Sequence, residues 1–222
     1  MTIQFQGLSG YVAEVGGPVF RGLHVHVKPL EYGALGHYRA SARFALANAQ
    51  AAASRLYEMR NSGTNLVIPT RMTIKWLQTV LSTAAILDSL DVFKDTAFSA
   101  VDTASTVTPT LSVKRGATMA AAPGGIQVRH VTAAGVAAGM TAGTRTPDGN
   151  PFASLPKWLL GAVPTAGDVP FSFLDVFDDV NGTHPFVFAN NEGFEIQNRV
   201  LLGASAGADV TVDLGAAEVA AF

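Results

Sequence analysis

His24 and His26 stand one residue apart, and on a strand that spacing turns both imidazoles to one face, the arrangement metal-binding cupins use. A metal centre would add a third histidine and a carboxylate, yet His37, His130 and His184 each stand isolated, with no H-x-D or E-x-H spacing beside them. The pair therefore reads as one side of an exposed or interface strand. A second cluster, Asp175, Asp178, Asp179 and Asn181 ahead of Gly182, offers oxygen ligands before a turn, as calcium loops do. It lacks the alternating ligands and closing Glu of an EF-hand, and Asn-Gly is a tight-turn signal by itself. Gly203-Ala204-Ser205-Ala206-Gly207 has the G-x-S-x-G form of a hydrolase nucleophile elbow, which needs a strand before it and a helix after it. Here Val210, Val212 and Leu214 continue as another strand, and the last histidine, His184, precedes the serine. The expectation is a β-hairpin loop, no catalytic residue, no metal and no cofactor.

Other chemistries are missing. There is no G-x-x-x-x-G-K-[ST] and no strand–GxGxxG–helix unit. Lys and Arg are scattered and do not interleave with aromatics, so no nucleic-acid platform is expected. Lys+Arg 15 against Asp+Glu 17 leaves a net charge of −2, too little for a general grip on nucleic acid or an acidic membrane. With no cysteine, disulfides, thiolate zinc and thiol nucleophiles are excluded. Asn181-Gly182-Thr183 is formally a glycosylation sequon, but MTIQFQGLSG has no basic stretch followed by an apolar run and does not read as a secretory signal. Gly135, Gly139 and Gly143 make a small-residue run. It lacks the apolar stretch of about 20 residues that a membrane-dimer motif needs, so it reads as a Gly/Ala loop, and no membrane span is expected.

The elements that must position these residues are mostly strands. Leu23, Val25 and Val27 alternate with polar residues and stop at Pro29; Tyr38, Ala40, Ala42, Phe44 and Leu46 alternate with Arg39, Ser41 and Arg43. The second run leans to a strand followed by an Ala-rich connection, although 39–53 could be helical on propensity. Leu56–Arg60 is a short strand closed by Asn61-Ser62-Gly63. Met72, Ile74 and Trp76 alternate, and further strands are expected around 92–101, 110–114, 126–131, 194–200 and 210–214. Residues 132–170 read as loop. Segment 78–90 is the stronger helix candidate, because Leu77, Val80, Leu81, Ala84 and Leu87 share one helical face. The late phenylalanines, Phe171, Phe173, Phe177, Phe186, Phe188 and Phe194, read as core. The 222 residues thus predict one all-β domain, a β-sandwich or jelly-roll-like fold with long loops, and residues 1–33 as an extended N-terminal arm.

The C-terminal segment carries a resemblance. Leu174-Asp175-Val176-Phe177-Asp178, then Gly182-Thr183-His184-Pro185-Phe186-Val187, Asn190-Asn191-Glu192-Gly193-Phe194-Glu195-Ile196-Gln197-Asn198 and Ala217-Glu218-Val219-Ala220-Ala221-Phe222 resemble the closing segment of structural proteins from tailed bacteriophages and prophages. The strand–link–strand run from Arg39 to Arg60 is similar too. Phe186-Val187-Phe188 replaces a more aliphatic strand of that pattern, and Glu195 stands where a small apolar residue is usual. The resemblance implies a non-enzymatic virion component, assembled in the host cytoplasm. Within that class the expectation is a capsid cement or decoration protein that binds itself and the major capsid protein or other virion proteins. A tail, connector or fibre-attachment role follows next, and a carbohydrate-binding or cupin-like metal-binding module is the rival from another class. A major capsid protein is disfavoured, since no long spine-like helix is evident. Charged residues at 14% with 22 Gly fit a surface that packs on other proteins. Residues 1–22 and 132–165 are the segments expected to drape across neighbours, and the uncharged Ala-Ala-Phe end is expected to be tied down.

Overall fold

The alternation at Tyr38–Leu46 is that of a half-buried strand, and the computed structural model bears it out: Tyr38, Ala40, Ala42, Phe44 and Leu46 are buried, while Arg39, Ser41 and Arg43 face outward. The structure describes residues 4–6, 12–14, 34–104, 106–113, 124–161, 171–177 and 185–220. The chain divides into two units, Met1–Tyr32 and Gly33–Phe222. In the first, β1 (Gln4–Gln6) and β2 (Val12–Glu14) form an antiparallel ribbon; the strand expected at 23–27 lies outside the described residues.

The second unit is a β-sandwich of two antiparallel sheets, with no helix among the described residues. Its strands are β3 (Ala34–Leu46), β4 (Ser54–Asn61), β5 (Leu66–Val80), β6 (Ile86–Ala100), β7 (Thr106–Val107), β8 (Ser112–Val113), β9 (Ile126–Val131), β10 (Thr144–Pro147), β11 (Ala153–Leu159), β12 (Phe171–Asp175), β13 (Gly193–Asn198) and β14 (Gly207–Val219). One sheet runs β12-β5-β14-β3-β8; the other runs β10-β6-β13-β4-β9-β7, with β11 also pairing with β6. Between them lies an apolar core that includes Phe44, Tyr57, Trp76, Val92, Ile196 and Val212. Phe152, Phe177, Phe186, Phe188 and Phe194 form a chain of ring contacts, with centroids 4.8–6.4 Å apart. Phe173 departs from the expected core role and is 60% exposed.

Three expectations are corrected. Segment 78–90 is not helical: β5 runs through Val80, a short link follows, and β6 starts at Ile86. The extended form wins because the β5 backbone is paired on both sides, with β14 and β12. The apolar residues that matched a helix face, Leu77, Val80, Leu81 and Leu87, are left exposed. Residues 132–170 are not all loop, since they hold β10 and β11, both laid along one edge of β6. Pro147 and Pro156 mask these strands in the sequence, yet proline is tolerated on sheet edges, where no ladder donor is required. Finally, Gly203–Gly207 is not a hairpin turn. It carries the chain from β13 in one sheet to β14 in the other.

Candidate functional site

Most of the chemically able side chains of the sandwich are folded into its own structure. On β4 the register against β13 shifts between Ile196 and Gln197, so that Ile196 faces Tyr57 while Gln197 faces Arg55, and Leu56 is the extra residue. Such a bulge rotates the strand. It lets Arg55 and Glu58, three apart, share the outer face, while Leu56, Tyr57 and Met59 point to the core. Arg55 ion-pairs with Glu58 at 3.0 Å and Asp102 at 3.2 Å, and donates to the carbonyls of Met140, at 3.1 Å, and Ala142. Asp102 donates its backbone N–H to Glu58 at 2.6 Å and accepts from the backbone N–H groups of Ala142 and Ala104, each at 2.7 Å. Glu195 pairs with Arg145 and accepts from Gln197. Asp95 lies 4.0 Å from Arg145 Nε.

Four carboxyls therefore meet two guanidiniums, with Glu58, Asp95, Asp102 and Glu195 fully buried. Burial, then the neighbouring Glu195 charge, pushes Asp95 up to about 8. Burial also raises Glu58 against the pull of Arg55. This network holds the segments around Asp102 and Met140–Ala142 over the outer face of β4. A second buried pair, Lys157 Nζ to Asp88 at 2.8 Å, sits inside the sandwich, with Asn198 accepting from the same amine at 2.5 Å.

An ionic hollow faces outward on the other sheet. Gly215 of β14 lies opposite Arg39 of β3 on one side and Arg71 of β5 on the other, so its missing side chain leaves a gap between two arginines. Arg39, Arg71, Lys75, His37 and Asp213 are among the residues around this groove of about 220 Å³. Lys75 and Ser41 both engage Asp213, at 3.4 and 2.7 Å, and Arg71 Nε reaches Thr73 Oγ1 at 3.3 Å. The hollow thus presents cationic side chains beside one carboxylate, Asp213.

Of the residues singled out from the sequence, His24, His26, His184, Asp178, Asp179, Asn181 and Gly182 lie outside the described residues. Asp175 ends β12, where its carboxylate accepts from Thr73 Oγ1 at 2.5 Å. His130 stacks on Phe44 and contacts the Val131 carbonyl; His37 is buried on β3. Among the described residues no group of three or more His, Asp or Glu is placed to hold a metal ion. Ser205 lies on the loop between the sheets with no acid–histidine pair beside it in the sequence. The Arg55 network and the Gly215 hollow were missed. Their signals are an Arg and a Glu three apart in an otherwise buried strand, and a lone glycine breaking the Val210–Leu214 alternation.

No family model, no curated protein and no solved structure matches this chain.

Proposed function

We propose that this chain is a structural protein of a tailed-bacteriophage virion, a capsid cement or decoration protein that bridges capsid subunits as a homo-oligomer. The observation that carries the reading is where the charges are. Of 15 basic and 17 acidic residues, at least nine are buried: Arg55, Glu58, Asp88, Asp91, Asp95, Asp102, Lys157, Glu195 and Glu218. Charged side chains rarely reach the interior, so burying this many leaves the outside poorer in charge than the composition alone implies. Over the same outside, Trp158, Leu87, Phe173 and Leu201 are each more than half exposed. Such a surface fits contact with other proteins at small desolvation cost. The β-sandwich and the resemblance of residues 174–222 to phage structural proteins support the same class. Function then follows from burial: weak apolar contacts repeated over a shell multiply through multivalency.

The test is the protein composition of particles purified from the virus or induced prophage that encodes the chain. Stoichiometric copies, scaling with capsid subunits and lost when the shell is stripped, are the expected result. A few copies per particle would move the assignment to the tail, connector or fibre attachment. Complete absence from particles would overturn it.

A further inference from the structure

The outer face of the β4-containing sheet is covered over one half and open over the other. The covered half is the Arg55 network beneath the segments around Asp102 and Met140–Ala142. At the open end Trp158 of β11 lies directly opposite Leu87 of β6, 52% and 65% exposed. Three loops meet beside this pair, as shown by backbone bonds from Ala49 N to Gly203 O, Leu202 N to Gln50 O and Ser82 N to Leu160 O, and by Val200 N donating to Asp88. They carry Leu81, Val200 and Leu201, and β5 ends beside them in Val80, all exposed apolar residues. Residues 47–53, 81–85 and 199–206 hold one charge between them, Arg199.

We infer that this pole is the self-association surface of the protein, covered by the same pole of a second copy. It deepens the homo-oligomeric part of the reading above and rests on that part alone. Three features select a second copy. First, at these exposures the six side chains present on the order of 500 Å², near the ceiling for open apolar patches on monomers. With the flanking alanines this approaches the roughly 800 Å² that each partner of a stable interface buries. Second, a nearly uncharged patch meets its own copy across a two-fold axis without like-charge repulsion, as an isologous contact requires. Third, the adjoining sheet edge carries Pro147 on β10 and Pro156 on β11, which oppose edge-to-edge strand pairing and leave the face as the route to association. A lipid surface is disfavoured, because interfacial binding draws on a basic rim and Arg199 stands alone.

The experiment is light scattering of the full chain over a concentration series, beside Leu87→Glu, Leu201→Glu and Phe173→Ser, with circular dichroism of each. The wild type should run at a multiple of 23.1 kDa. Leu87→Glu should raise the dissociation constant at least about 100-fold, as loss of a central contact does. Leu201→Glu repeats the test should Leu87→Glu fail to fold. Phe173→Ser, on the other sheet, should leave the mass unchanged. A wild type that stays monomeric, vesicle-bound or not, overturns the inference. So does an oligomer that persists in the folded glutamate variants. An oligomer that persists in the glutamate variants overturns this surface alone, a monomeric wild type overturns the homo-oligomeric part of the reading above with it, and presence in particles is decided separately by their protein composition.

Discussion

Asp95→Asn should stabilise this protein at neutral pH. Asp95 lies opposite Gly193 on β6, fully buried, with no hydrogen bond to either oxygen. The nearest guanidinium, Arg145, is 4.0 Å away and committed to Glu195. Burial first, and then Glu195 and Glu58, lift the carboxyl from 3.8 to about 8, against the pull of Arg145 and Arg55. The folded protein therefore keeps a proton that the unfolded chain releases. Between about pH 4 and pH 8 the unfolded state binds fewer protons, so stability falls as pH rises through that window and levels off above it. Neutral pH lies about three units above the unfolded value. At roughly 1.4 kcal/mol per unit, ionisation of the unfolded chain removes about 4 kcal/mol. Asparagine has the shape of the protonated acid and no such ionisation. Urea unfolding of both proteins from pH 4 to 9 should show a gain of about 2–4 kcal/mol at pH 7, worth roughly 4–16 °C in Tm for a chain of this size. The gain should vanish near pH 4. Parallel stability curves, or a variant less stable at pH 7, would refute the reasoning.

Two substitutions probe the same face. Arg55→Met leaves Glu58 and Asp102 buried without their cation and frees the carbonyls of Met140 and Ala142; urea unfolding should show a loss of about 3–5 kcal/mol. Adding Glu58→Gln should recover part of it, as coupled neighbours do. Gly193→Ala would place a methyl 1.9 Å from the Met59 carbonyl oxygen and 3.0 Å from Arg60 Cα. β13 cannot then hold its register against β4, and thermal unfolding should show a loss above the 1–3 kcal/mol of ordinary overpacking.

Strands whose two faces differ in polarity were legible. Met72, Ile74 and Trp76 point inward, as do Val210, Val212 and Leu214, and period-2 patterning finds such strands whatever lies around them. β11 was not legible, because its inward row reads Leu155, Lys157, Leu159. A lysine in the core breaks the apolar alternation, and only the Asp88 and Asn198 partners, distant in sequence, explain its place. The helix reading of 78–90 failed for a related reason. The residues of its apparent helix face, Leu77, Val80, Leu81 and Leu87, remain on the surface, so their period reports nothing about packing against the core. The ionic network was invisible because it assembles from β4, β6, β10 and β13 with the segment around Asp102, and local patterns cannot register contacts between them.

The two halves of the outer face obey one rule. A sheet face must be covered or made polar, and over β4 this protein does both. It puts charges there, then seals them under its own loops, where each carboxyl except Asp95 finds a cation or backbone N–H within 3.2 Å. A buried ionic network adds little net stability against an apolar alternative, but it tolerates only one placement of the loops it binds. The cover over β4 is thereby fixed in position. At Trp158 and Leu87 neither remedy is present: the face is apolar, and no described segment lies over it. A chain that seals four carboxyls with loops rich in Ala and Gly has the means to hide two apolar side chains. That no described segment covers them, beside loops with a single charge, is the observation behind the proposed contact with a second copy.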